Sequence, residues 1–193
     1  MRGPHRFQAT SRDLLIDPER RRRQSPEQIL RGIDPIEGEM WADLGCGVGY
    51  LSIPLVSMGA RVIAIDVQRE MLDALVRRAS EGDIERICPL VADIPPLPLT
   101  DGSMDGALLV NVLHEVGDRE LMAREMQRVL RPGGTLLLID FRKRESPHGP
   151  PVDERVAEEE TIRLFESFEM TGKYVHEEHY QLEFRRSRSD ILR

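Results

Sequence analysis

Eight consecutive residues, Asp43-Leu-Gly-Cys-Gly-Val-Gly-Tyr50, concentrate the chemistry of this chain. Glycines at alternate positions, Gly45, Gly47 and Gly49, remove side chains where backbone has to approach a ligand closely. Apolar runs flank the segment, Met40-Trp41-Ala42 before it and Leu51 to Val56 after it. The pattern predicts a strand, a tight turn and the start of a helix. A helix start beyond such a turn presents unpaired N–H groups and the positive end of a dipole, a seat for a nucleotide-like group.

The residue types narrow that group. A dinucleotide fingerprint reads Gly-x-Gly-x-x-Gly. Here Tyr50 stands where the third glycine belongs, and Asp43 opens the motif. A carboxylate at that point repels a pyrophosphate but accepts from the ammonium of an amino acid, directly or through backbone and water. The combination favours a cofactor with an amino-acid tail and no phosphate, and S-adenosylmethionine (SAM) fits. Arg61-Val-Ile-Ala-Ile-Asp66 reads as a buried strand ending in an acid, 17 residues past Gly49. That is close to the spacing at which an acid receives both hydroxyls of a ribose. A nicotinamide-dependent oxidoreductase on a similar sheet is disfavoured by the missing glycine and by the absence of a Tyr-x-x-x-Lys pair.

In this order and spacing the motifs resemble the class I SAM-dependent methyltransferases, specifically the small bacterial and archaeal methyltransferase-domain type (type 11-like) with a Pro-containing N-terminal arm. The resemblance covers roughly residues 13–186. It implies a Rossmann-like, doubly wound α/β fold with a seven-stranded sheet, mostly parallel with an antiparallel last strand. It also implies SAM as cofactor and S-adenosylhomocysteine as product. The implied cofactor set is Asp43, Gly45, Cys46, Gly47, Tyr50, Asp66, Val67, Asp93, Ile94 and Asn111. In similar enzymes the Asp93 position accepts from the adenine amino group, Ile94 packs beside the ring, and Asn111 offers backbone to the methionine moiety. Cys46 reads as a small loop residue rather than a nucleophile. Tyr50 either covers the cofactor or points toward the acceptor. Met71 reads as core, with a place near the ribose or adenine as the alternative.

Methyl transfer from a sulfonium asks the protein to align a nucleophile and exclude water. A base is needed only where the nucleophile must lose a proton near neutral pH. His114, just after the fourth strand, is the candidate catalytic residue because imidazole titrates in that range; a packing or capping histidine is the competing reading. Glu115, His148, His179 and Tyr180 are weaker candidates. Asn111-Val-Leu-His114 is not Asn/Asp-Pro-Pro-Tyr, which argues against amino-group methylation of adenine or of a glutamine amide. Two cysteines are too few for the arsenic-methylating type, and quinone-biosynthesis C-methyltransferases are usually longer. The acceptor expected is a small molecule. Protein or RNA methylation, and SAM binding without transfer, stay open.

Composition sets outer bounds. The 193 residues allow one sizeable core, with 32% charged and 40% hydrophobic residues and a formal charge of −7. Residues 1–35 hold eight Arg and five acids, so the body is acidic, which argues against a dedicated nucleic-acid surface. Arg20-Arg-Arg-Arg23 reads as a solvated helix face, with a clamp for an anionic substrate as the alternative. Cys46 and Cys88 suggest neither a disulfide scaffold nor a metal site. No span long enough for a membrane and no signal-peptide core is seen, so a cytoplasmic monomer or homodimer is expected.

The elements that position these residues follow from patterning. Asp17-Pro18 and Ser25-Pro26 start two short helices, the second with Gln28 completing a capping box and ending near Gly32. Strands are expected at 39–44, 61–66, 87–92, 104–110 and 135–141, and helices from about 53, along the Met71-Leu72-Leu75-Val76-Ala79 stripe, and from an Asp118 cap through Leu130. Arg131-Pro-Gly-Gly134 reads as the turn that stops the last of these. Residues 142–156 read as loop, 157–169 as helix, and Tyr180 to Arg185 as a half-exposed strand with Lys173 to His176 as its hairpin partner. The expected organisation is an arm with lid helices at 1–36, carrying Phe7, Leu14 and Leu15 as lid residues, a SAM-binding domain at 37–186 and a tail at 187–193.

Overall fold

The structure is a computed structural model that describes residues 10, 15–33, 35 and 37–188. The expectations for Phe7 and Leu14 lie outside the described residues. Seven strands follow the order β3-β2-β1-β4-β5-β7-β6. The chain divides into two compact units, within residues 7–93 and 94–193.

In the first unit, helices α1 (Pro18–Arg23) and α2 (Pro26–Ile29) start where the capping signals put them. Asp17 Oδ1 accepts from the Glu19 N–H at 2.7 Å, and Ser25 Oγ accepts from the Gln28 N–H at 3.1 Å. A 3-10 turn, Leu30–Gly32, ends the segment. Three parallel strands follow, β1 (Met40–Leu44), β2 (Arg61–Asp66) and β3 (Ile87–Val91), with α3 (Ser52–Ser57) and α4 (Arg69–Glu81) as crossovers. The register pairs Leu44 with Ile65 and Asp66 with Val91, so the glycine loop, Asp66 and Asp93 leave the sheet at one edge. Helix α4 buries Met71, Leu72, Ala74, Leu75 and Ala79. Val76, expected on that stripe, is 44% exposed; the buried arc turns toward Ala74 instead.

In the second unit, β4 (Met104–Val110) lies parallel to β5 (Leu130–Phe141), and β7 (His179–Arg186) pairs antiparallel with both β5 and β6 (Phe168–Val175). The last strand is thus antiparallel to its neighbours. Helix α5 (Arg119–Val129) starts on Asp118, whose Oδ1 accepts from the Leu121 N–H at 2.8 Å. The Arg131–Gly134 segment stops helix α5 as expected and is carried inside β5 as an irregularity: the ladder pairs Met104 with Leu130 and then Gly106 with Thr135, and Gly133 has a positive φ of 84°. Helix α5 stops before it, because a residue preceding proline is pushed to extended geometry, and the chain then bends sharply into the regular part of β5. Gly134 makes that possible: a Cβ there would stand 2.9 Å from the Arg131 carbonyl oxygen and 3.1 Å from that of Asp105.

Helix α6 (Glu158–Leu164) is shorter than expected. Phe165, Phe168 and Phe184 pack as a buried cluster, the Phe165 and Phe184 rings stacked at 5.5 Å. Carrying Phe168 onto that cluster requires leaving the helix and starting β6 at residue 168. Tyr180 is buried, its hydroxyl 2.8 Å from Thr161 Oγ1 and 3.3 Å from the Val156 carbonyl, which makes it an anchor for α6.

Candidate functional site

The first unit assembles the glycine loop from residues close in sequence. Gly45, Gly47 and Gly49 all have positive φ, at 67°, 54° and 76°. At Gly49 a side chain is excluded twice over, by the left-handed backbone and by Leu75 Cδ1, 2.1 Å from where a Cβ would lie. The loop is pinned from both sides. The Cys46 N–H donates to the Ile65 carbonyl at 3.0 Å, and the Arg78 guanidinium of α4 donates to the Val48 carbonyl.

Two acids face this loop. Asp66 accepts from the Gly47 N–H at 2.9 Å through Oδ2 and from the Gln68 N–H at 2.8 Å through Oδ1. These bonds orient the Asp66 carboxylate, an acceptor of the type that can receive both hydroxyls of a diol. Asp43 is buried, and its Oδ2 accepts from Ser52 Oγ at 2.5 Å, tying strand end to helix start. Its pKa is pushed up to about 6, chiefly by burial, with the charge of Asp66 adding and the Ser52 bond and Arg20 opposing. Two carboxylates against one loop suit a cationic ligand and oppose a pyrophosphate. This donor set fits SAM.

Burial pushes the Cys46 thiol well above its ordinary range, which rules out a ready thiolate and agrees with a small loop filler. Met71 sits with Val48 and Ala74 in a buried cluster, against which Leu15 packs. Tyr50 is tied to the arm: its hydroxyl donates to the Gln24 carbonyl at 2.8 Å, and the Arg20 guanidinium carbon stands 4.1 Å over its ring. Asp93 and Val67 are exposed beyond the strand ends.

In the second unit Ile94 is half-buried, and Asn111, just after β4, has a left-handed φ of 58° and donates its N–H to the Ile139 carbonyl at 2.8 Å. His114 lies in the following 3-10 turn (Leu113–Glu115) and is buried. Its Nδ1 is 2.6 Å from Oδ1 of the fully buried Asp140, and its backbone N–H donates to Asp140 Oδ2 at 3.1 Å. Desolvation opposes the imidazolium, but the hydrogen bond and charge of Asp140, with Glu115 adding, outweigh it, so the pKa is raised above the ordinary 6.5. Phe141 meets the imidazole edge to face at 5.9 Å. This arrangement fixes the ring and favours holding a proton on it.

Asp140 was not singled out from the sequence. A signal was there: Leu136-Leu-Leu-Ile139 is an apolar run ended by an acid, just as Val62-Ile-Ala-Ile65 is ended by Asp66. His148 bonds through Nδ1 to Glu178 Oε1 at 2.9 Å, and its carbonyl accepts from Arg155 at 2.9 Å, so it serves the loop at 142–156. Arg155 organises that loop, also donating to the carbonyls of Pro150, Arg142 and Arg144. Among the described residues no helix is long and apolar enough to cross a membrane.

Known proteins repeat this architecture. The family description "Methyltransferase domain" matches residues 42–138. The crystal structure of a SAM-dependent methyltransferase from Aquifex aeolicus superposes with a TM-score of 0.85 at 26% identity, covering 93% of this chain and 99% of that one. Methyltransferase GfsG of Streptomyces halstedii is 38% identical over 117 residues, 60% of this chain and 42% of the relative. The 27-O-demethylrifamycin SV methyltransferase of Amycolatopsis mediterranei is 35% identical over 133 residues, 67% of this chain and 49% of the relative. The chain therefore spans less than half the length of these two relatives. With the glycine loop and its two acids inside the matched span, and a seven-stranded sheet around it, the chain belongs to the methyltransferase-domain family of class I SAM-dependent methyltransferases.

Proposed function

We propose that the protein transfers the methyl group of SAM to a hydroxyl of a small molecule, with His114 as the base and Asp140 as its positioning partner. SAM, when bound, supplies a methyl group already activated on a sulfonium. The chain's own residues then have three tasks. The glycine loop and Asp43 hold the amino-acid tail, Asp66 takes the ribose hydroxyls, and Asp93 with Ile94 takes the adenine. Asn111 contributes backbone beside the methionine moiety, and Cys46, Tyr50 and Val67 complete the surroundings. His114 receives the proton that an attacking hydroxyl must give up.

The observation that carries the acceptor class is the 2.6 Å contact between His114 Nδ1 and Asp140. A thiolate or an activated carbon needs no base of this strength, whereas a hydroxyl does. With Nδ1 engaged by the Asp140 carboxylate, Nε2, 3.8 Å from Glu115 Oε1, is the nitrogen that takes the proton. The rifamycin relative is named for an O-demethyl substrate, which agrees with that choice. On this reading the protein works in the cytoplasm as a monomer or homodimer, with residues 1–36 as an arm, 37–186 as the SAM domain and 187–193 as a tail. Nucleic acid is not its partner.

The test is transfer of label from methyl-labelled SAM to a panel of hydroxyl, thiol, amine and carbon acceptors, with His114→Gln beside the wild type. Transfer to hydroxyl acceptors that is lost in the variant is expected. Transfer confined to amines, thiols or carbon acceptors, or unaffected by the substitution, overturns the acceptor class.

A further inference from the structure

We infer that Arg20, on helix α1, is the counter-ion for the α-carboxylate of the SAM methionine moiety, so that the arm and the strand-one acid together form a receptor for a zwitterion. The inference rests on the SAM-binding reading above and adds a ligand contact to it.

Arg20 is unlike its neighbours in the Arg20–Arg23 run. Arg21 pairs with Glu27 and Arg22 with Glu19, both in the open. The Arg20 side chain is half-buried, and its guanidinium is the enclosed part: lost solvation is the largest influence on it and lowers its pKa to about 10. Its Nη1 donates to the Leu15 carbonyl at 3.0 Å, and its carbon lies 4.1 Å over the Tyr50 ring. Among the described residues no carboxylate stands within ion-pair distance of it. A guanidinium has five N–H donors, and among the described residues one carbonyl and one ring face meet them.

A shielded cation with no carboxylate of the described residues in ion-pair reach is costly unless something arrives to compensate it. The ring beneath it belongs to the residue that ends the glycine loop, and Leu15, whose carbonyl it holds, places Cδ1 3.0 Å from where a Gly47 Cβ would lie. The guanidinium is therefore held at the loop itself. Asp43, at the loop's other end, feels its charge: Arg20 pulls the Asp43 pKa down and Asp43 pulls that of Arg20 up. One acid and one base at the same loop match the ammonium and carboxylate of an amino-acid tail.

The experiment measures calorimetric binding of two probes to the wild type, Arg20→Gln and Arg20→Lys. S-adenosylhomocysteine carries the carboxylate; S-adenosyl-3-thiopropylamine is the same molecule without it. Wild type should prefer the first by about 10- to 100-fold, the scale of one charge-assisted pair. Arg20→Gln should erase that preference and leave the decarboxylated probe bound within about twofold; Arg20→Lys should restore part of it. The comparison in wild type needs no variant to fold. Equal binding of both probes by wild type, or a preference that survives Arg20→Gln, overturns the assignment, the second result giving the guanidinium to the acceptor or to none. Parallel loss of both probes in Arg20→Gln overturns it in favour of a role in holding the arm. A wild type that binds neither probe removes the SAM reading itself, and this inference with it.

Discussion

Replacing Asp43 by Asn should make the unliganded protein more stable and the liganded site weaker. Asp43 is buried, and Asn keeps an acceptor for the Ser52 hydroxyl while removing the charge. The folded protein raises this carboxyl from 3.8 to about 6. An acid with a raised pKa binds its proton more tightly in the folded than in the unfolded chain. Its contribution to stability is complete below pH 3.8 and is lost as pH rises through about 6. At about 1.4 kcal/mol per pH unit, the loss approaches a ceiling of about 3 kcal/mol at pH 8, reduced by whatever attraction to Arg20 the substitution gives up.

Asp43→Asn has no such loss. Thermal unfolding without ligand should therefore give matching midpoints near pH 4 and a midpoint higher in the variant by about 6–12 °C at pH 8, the shift that about 3 kcal/mol produces in a chain of this size. Binding of S-adenosylhomocysteine should move the other way. It should strengthen in the wild type as pH passes about 6 and stay weak and flat in the variant. A variant destabilised equally at pH 4 and pH 8 would refute the reasoning, because Asp43 would then act as an ordinary structural acceptor rather than as a charge held ready for a cation.

The other expectations can be read with simpler assays. His114→Gln should lower kcat/KM about 10²- to 10⁴-fold, the usual contribution of a positioned base. Wild-type kcat/KM should rise with pH through a value above 6.5, where His114 loses its proton, and Asp140→Asn should move that rise to lower pH while cutting the plateau. Gly49→Ala should cost about 2–5 kcal/mol in urea unfolding, from left-handed strain together with overpacking against Leu75. Tyr180→Phe, which leaves Thr161 and the Val156 carbonyl without their hydroxyl partner, should cost about 1–2 kcal/mol and leave binding of S-adenosylhomocysteine unchanged.

What could be read from the sequence divides along a physical line. Strands β2 and β4 begin and end where their residue patterns place them, because buried runs bounded by turn residues carry their own signal. The caps at Asp17, Ser25 and Asp118 are equally local, each a side chain reaching an N–H two or three residues on. The bend that Pro132, Gly133 and Gly134 signal by type is present but carried inside β5, and that it lies inside a strand was not legible because the close approach of the Asp105 carbonyl to Gly134 is a long-range feature. The length of α6 was misread for a similar reason: Phe168 continues a helical pattern, yet its partner Phe184 arrives from β7.

The same line runs through the site. Asp43, the glycine loop and Asp66 lie within 24 residues, and their hydrogen bonds follow from one strand-loop-helix unit and its neighbour. Histidine 114 could be nominated from its type and its place after β4, but its chemistry comes from Asp140, 26 residues away. The pairing of Val110 with Ile139 is what sets the carboxylate beside the turn that carries the imidazole. Arg20 is a third case. In sequence it is one of four consecutive arginines, and it is the packing of α1 over Tyr50 that encloses its guanidinium while Arg21 and Arg22 stay in the open. Residue type thus announces the groups that grip a donor common to many enzymes. The groups that decide protonation and selectivity depend on strand register and helix docking, and those are the features in which relatives with the same glycine loop are free to differ.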